Sequence, residues 1–137
     1  MIKEFSYWIL PFYKSIDDVQ VLIVKWACYW WFPKWHAEKD EKPVDAAKRE
    51  FIEETWIKKV FIDNKKIFND HYVFSYKKNV IDKYVWYFIG YVCDKDVQID
   101  PKEINDYRWL SVIKARRMLT YQNGKKLLDK ALDYIWS

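Results

Sequence analysis

Glu50, Glu53 and Glu54 lie at i, i+3 and i+4 in the run Arg49-Glu50-Phe51-Ile52-Glu53-Glu54. On a helix, that spacing puts the three carboxylates on one face. Like charges that close repel, so they persist either because water solvates them or because a cation joins them. Hard divalent cations such as Mg²⁺ take carboxylate oxygens and keep several waters for a phosphate substrate to displace. Arg49 precedes Glu53 by four residues and is placed to hold that carboxylate. An acidic triplet alone reads as a solvated helix face before it reads as a site.

The elements that must position these groups follow from the apolar patterning. Residues 2–13 and 19–27 read as strands, separated by the polar cluster Ser15-Ile16-Asp17-Asp18. Trp30-Trp31-Phe32 is a short apolar piece stopped by Pro33, and residues 33–43 are polar. A helix is predicted next. Pro43 stands near its first turn, where a missing N–H costs little, and Ala46, Ala47, Phe51 and Ile52 supply its apolar side. Residues 58–62, 71–77 and 83–93 are rich in Val, Ile and aromatics and read as strands. Asp100-Pro101 opens a loop, and Tyr107 to Leu110 reads as a short extended piece. Residues 111–120 and 124–136 read as helices broken at Gln122-Asn123-Gly124. Strands, helix, strands, helices in that order suggest an α/β fold with a sheet packed between helices.

The chain has 137 residues, one domain's worth, and a net charge of +4. No apolar run approaches the roughly 18 residues of a membrane span. The N-terminus lacks a basic start, a clean apolar region and a small-residue cleavage site, so a cytoplasmic location is expected. Cys28 and Cys93 are far apart and read as two buried or half-buried thiols in a reducing compartment. With only His36 and His71, a multi-histidine zinc site is not available. The charge is mild and gives no strong nucleic-acid signal. The oddest feature is two glycines, against roughly nine or ten expected at ordinary usage, beside nine tryptophans.

The full spacing around the glutamates resembles the Nudix box, G-x5-E-x7-R-E-U-x-E-E-x-G-U with U apolar. Glu41, Arg49, Glu50, Phe51, Glu53, Glu54 and Ile57 all fall in place. The two glycine positions alone differ, and both hold tryptophan, Trp35 and Trp56. By this resemblance Glu50, Glu53 and Glu54 ligate divalent cations, Mg²⁺ or Mn²⁺, while Glu41 and Arg49 orient loop and helix. The resemblance runs nearly the whole chain. Phe32-Pro33-Lys34-Trp35-His36-Ala37-Glu38 looks like the F-P-K-G-H-x-E of Nudix hydrolases that cleave diadenosine tetraphosphate, which puts Lys34 and His36 near the phosphate chain. Glu103, four residues before Tyr107-Arg108-Trp109, falls on an acidic position of the same enzymes and would be a further metal ligand or help activate water. Tyr76, Lys83 and Tyr87 fall in a segment like the substrate-binding strand pair, as candidates for adenine stacking and phosphate contact. Tyr121 matches an aromatic that stacks on the other side of an adenine. Each also has an ordinary structural reading: His36 as a loop histidine, the tyrosines as core or boundary aromatics, and Lys83 as an edge-strand charge.

Trp8, Trp26, Trp31, Trp35 and Trp56 stand where such chains commonly carry glycine or another small residue. At Trp35 the family loop turns tightly near the metal site, and at Trp56 the glycine follows the helix in the left-handed conformation that ends many helices. Tryptophan is strained in both settings. Decay would also have eroded the glutamates. A gene from a lineage reading UGA as glycine, translated with a table that reads UGA as tryptophan, produces this pattern.

The resemblance thus implies a Nudix α/β/α sandwich, a mixed curved sheet between the box helix and the C-terminal helices. It implies a monomeric Mg²⁺-dependent hydrolase of a small nucleotide substrate, cleaving diadenosine tetraphosphate to ATP and AMP. Glu54 or Glu103 would accept the proton of the attacking water, and Lys34 and Lys83 would screen developing negative charge. Two other readings stay open. One is another Nudix pyrophosphohydrolase acting on RNA 5′ ends, nucleoside triphosphates or sugar nucleotides. The other is a nucleotide-binding Nudix-fold protein without turnover, should Trp35 and Trp56 be present in the molecule.

Overall fold

The computed structural model describes residues 1–15, 18–35, 49, 52, 60–98, 102 and 104–136, with the backbone alone at Lys34, Trp35 and Asn64. Seven strands among them form one mixed sheet: β1 (Ile2–Lys14), β2 (Val19–Trp26), β3 (Tyr29–Trp31), β4 (Lys34–Trp35), β5 (Val60–Tyr76), β6 (Asn79–Val92) and β7 (Ile104–Ser111). Two helices follow, α1 (Val112–Met118) and α2 (Gln122–Trp136). Arg49 and Ile52 are helical, as predicted for the segment that carries the carboxylates.

The path β3-β2-β1-β6-β5 is antiparallel except for β1 against β6, which run parallel from Ile2↔Ile81 to Phe12↔Tyr91. β1 changes its second partner along its length. Phe12 to Lys14 pair with β2, while Tyr7 and Trp8 pair with β4. The sheet therefore divides along β1, and β2 goes on to pair with β3 and β7. Side-chain alternation gives the sheet two apolar faces. Trp8, Leu10 and Phe12 pack with Val85, Tyr87 and Ile89 and with Leu127, Leu128 and Ala131 of α2. Tyr7 and Ile9 pack on the opposite face with Phe88, Val60, Ile62 and Ile104.

The structure revises several sequence expectations. Residues 58–62 and 71–77 are not two strands. From Val60 onward one long strand, β5, runs through the polar stretch between them. Pairing with β6 satisfies that backbone, so partner context overrides weak strand propensity. The register shifts between Asp63 and Ile67, a bulge stabilised by the Lys65 N–H donating to Asp63 Oδ1 at 2.9 Å. At the other end β5 turns into β6 through Lys77 and Lys78, at φ 47° and 68°. Two central residues at positive φ are what a two-residue type I′ hairpin demands, although Asn-Gly is its usual sequence. Cys28 and Cys93 are exposed rather than buried or half-buried. Cys28 sits in the turn between β2 and β3, and Cys93 lies just beyond the end of β6.

The break between the C-terminal helices falls at Leu119–Tyr121, not at Gln122-Asn123-Gly124. Thr120 docks there on β3, with its Oγ1 accepting from the Trp30 N–H at 2.8 Å. Gly124 then lies in the first turn of α2, where its N–H donates to the Tyr121 carbonyl at 3.1 Å. Both glycines mark close approaches. A Cβ on Gly90 would stand 2.7 Å from Ile9 Cγ2, and one on Gly124 would stand 2.5 Å from Trp31 Cζ3. Gly124→Ala is accordingly expected to destabilise the chain by about 1–2 kcal/mol, overpacking outweighing the better helix propensity of alanine. In a Trp31→Gly background the same change should be neutral or stabilising. Urea denaturation of the four proteins of this cycle checks it, and equal effects of Gly124→Ala in both backgrounds would contradict it.

Candidate functional site: an aromatic cleft

Beside the α2-covered face, a cleft of about 470 Å³ opens between the central strands and the start of α2. β1 contributes Trp8, β3 contributes Tyr29 and Trp31, β5 contributes Asp70 and Tyr72, and β6 contributes Lys83 and Tyr87. Tyr121 closes it from the turn before α2, with Asn123 next to it. The β5–β6 register sets much of this wall, since Tyr72 stands directly opposite Lys83. On β6 the period of two carries Lys83, Val85 and Tyr87 on one side. The parallel pairing with β1 then brings Trp8 opposite Tyr87.

The rings form a connected series. Tyr29 and Tyr121 have centroids 5.7 Å apart, Tyr121 and Trp31 6.2 Å, Trp31 and Trp8 5.9 Å, and Trp8 and Tyr87 6.0 Å. Burial pushes the Tyr87 phenol far above its ordinary value, helped by the nearby Asp70. Tyr29 is raised by burial and then by Tyr121, and Tyr72 by burial and then by Asp70 and Glu4. Their hydroxyls stay protonated at neutral pH and act as neutral donors. Lys83, 9% exposed, brings an ammonium to this wall. Because β6 lies between β1 and β5, Lys83 is not an edge-strand charge. Flat aromatic walls with neutral donors and one recessed cation suit a planar base attached to an anionic group.

Of the sequence-predicted residues, Lys83, Tyr87 and Tyr121 come together in this cleft. Tyr76 does not. It shares the Tyr72 side of β5 but lies four residues on, about 13 Å along the strand, beside the hairpin turn and 57% exposed. Its ring is covered instead by the Lys77 ammonium, 5.4 Å from the centroid. Lys34 pairs with Trp8, and Trp35 with Tyr7, so β4 runs beside the Trp8 wall. Among the described residues only Lys77 and Lys78 have positive φ outside glycine, so Trp35 sits in extended backbone rather than in the left-handed turn expected there. His36, Glu41, Glu50, Glu53, Glu54, Trp56 and Glu103 lie outside the described residues. Among the described ones, no cluster of three or more His, Cys, Asp or Glu side chains is placed to hold a metal.

Tyr29, Asp70 and Tyr72 were missed in the sequence. A signal for two of them existed. Once Lys77-Lys78 is taken as a two-residue turn, counting back along both strands pairs Tyr72 with Lys83 and Asp70 with Val85.

The NUDIX domain family profile matches residues 16–131. No curated protein sequence matches the chain. Several solved structures share its fold. A C. elegans Ap4A hydrolase in a binary complex superposes with a TM-score of 0.81 at 23% identity, over 98% of each chain. The E. coli dihydroneopterin triphosphate pyrophosphohydrolase gives 0.72 at 17% identity, over 95% of this chain and 97% of its own. The NUDIX domain of Shewanella oneidensis NrtR complexed with ADP ribose gives 0.78 at 13% identity, over 98% and 90%.

Proposed function

Because this chain belongs to the NUDIX domain family, we propose that it is a Mg²⁺-dependent pyrophosphohydrolase that cleaves diadenosine tetraphosphate to ATP and AMP. The observation that carries the reading is the aromatic cleft, where Tyr87, Tyr121 and Lys83 converge from separate elements. An adenine lies between its aromatic walls, and the Lys83 ammonium meets the phosphates that leave the base. Lys34, at the start of the Nudix-like motif, screens charge further along the chain. His36 would act near the same phosphate chain.

Glu50, Glu53, Glu54 and Glu103 would hold the cation as an all-carboxylate donor set, the chemistry a hard divalent cation requires. Such a cation would supply positive charge against the polyphosphate and lower the pKa of a water. Glu54 or Glu103 takes the proton from the attacking water. The water oxygen bonds to one phosphorus, the bridging P–O bond to its neighbour breaks, and the leaving phosphate carries the electron pair. Arg49 and Glu41 position the loop and helix. Two unpaired, exposed thiols agree with a reducing, cytoplasmic setting. No helix among the described residues is long and apolar enough to cross a membrane.

A panel of diadenosine tetraphosphate, nucleoside triphosphates, sugar nucleotides and capped RNA, with Mg²⁺ and chromatographic product analysis, tests the assignment. Diadenosine tetraphosphate is expected to turn over with the highest kcat/KM. Faster hydrolysis of another panel member would move the assignment within the family. Nucleotide binding with no turnover of any member would identify a nucleotide-binding protein instead.

A further inference from the structure

A second and larger hollow, of about 820 Å³, adjoins the aromatic cleft and shares Asp70, Tyr87 and Asn123 with it. It lies between β5 and α2, and its floor is apolar, with Phe68, Tyr87 and Leu127 buried. Three lysines converge on it from two elements, Lys66 from β5 and Lys126 and Lys130 from α2. Their placement follows from local structure. Lys66 belongs to the bulge between Asp63 and Ile67, and a bulge re-aims side chains out of the ladder. Its ammonium stands 5.5 Å from the Phe68 ring centroid. Lys126 and Lys130 are one helical turn apart, on the side of α2 adjoining the buried Leu127 and Ala131.

Two carboxylates, Asp70 and Asp133, also line the hollow, so its formal charge is positive by one. The ion pairs among the described residues are His71–Asp82, Arg108–Asp106 and Arg116–Asp129, none of which engages these lysines. Lysines on a convex helix face need no ligand to explain them. Here they edge a concave site with an apolar floor, continuous with a wall of aromatics in edge-on and tilted contact.

We propose that Lys66, Lys126 and Lys130 form an oligophosphate subsite, holding the phosphates of a free mononucleotide whose base occupies the adjoining aromatic cleft in a second orientation, its phosphates directed past Tyr87 rather than past Lys83. The inference rests on reading that cleft as the nucleoside site and is independent of turnover. It implies that ATP, bound in this second orientation, is held more tightly than AMP. Flexible point charges at an open site follow phosphate number more than phosphate geometry.

Calorimetric titration of the full chain in the absence of divalent cations tests this, with ATP, AMP and inorganic tripolyphosphate as probes. The variant K66A/K126A/K130A is expected to weaken ATP and tripolyphosphate at least tenfold while changing AMP less than threefold. The arginine variant K66R/K126R/K130R should keep the ATP affinity. Unchanged ATP and tripolyphosphate affinity in the alanine variant, with its circular dichroism preserved, would overturn the proposal. So would an equal loss for AMP. If the wild type binds ATP through these lysines yet hydrolyses nothing, the subsite stands and the hydrolase reading falls.

Discussion

Glu53→Gln is expected to lower kcat for diadenosine tetraphosphate about a thousandfold, with the fold and nucleotide binding intact. The glutamine amide keeps the size and loses the charge. A carboxylate that ligates the cation supports both neutralisation of the polyphosphate and activation of water, worth several kcal/mol at the transition state. About 4 kcal/mol corresponds to a thousandfold in rate. Glu54→Gln should be at least as damaging if Glu54 is also the base, and its loss should then flatten the acidic limb of the pH–rate profile. Steady-state kinetics across a Mg²⁺ titration separates the roles: a lost ligand raises the Mg²⁺ requirement, and a lost base leaves it unchanged. Wild-type kcat in Glu53→Gln would remove this residue from the reaction.

The second large effect concerns the tryptophans. Replacing Trp35 and Trp56 by glycine is expected to raise kcat/KM about a hundredfold, the scale on which small displacements of a catalytic group act. The backbone at position 35 is extended in β4, so tryptophan is not strained there by φ. What remains is bulk at the start of the segment that leads to the glutamates. Position 56 lies outside the described residues. The buried Trp8 and Trp31 act differently, for they wall the aromatic cleft itself, and glycine there would widen it. The codons decide whether the cell makes these tryptophans at all. UGA at positions 8, 26, 31, 35 and 56 means the molecule in the cell carries glycine at all five. UGG there means the tryptophans are real and the hundredfold gain is a property of the variant alone.

Much of the fold could be read from the residues. Runs rich in Val, Ile and aromatics located β1, β2 and most of β6, because these strands are buried on both faces of the sheet. The long β5 was hidden, since its polar middle is held by backbone pairing to β6 and by a bulge that no local pattern announces. The boundary at Gln122 was hidden for a related reason. Gly124 looks like punctuation in the sequence, but it is needed where Trp31 presses against the helix. Of the candidate site, the residues on interior strands were legible through the family pattern, and Lys83 and Tyr87 share one side of β6. Tyr76 was misplaced by one hairpin geometry, because the turn at Lys77-Lys78 carries neither glycine nor asparagine at its centre to mark it.

The most direct measurement is the product ratio from diadenosine tetraphosphate. The chain, as written and with glycine at the five tryptophan positions, is incubated with the dinucleotide and Mg²⁺, and the products are resolved by anion-exchange chromatography. ATP and AMP in equal amounts are expected, formed about a thousandfold more slowly by Glu53→Gln and not at all after chelation of the metal. ADP as the sole product, or no turnover by either chain, would contradict the account.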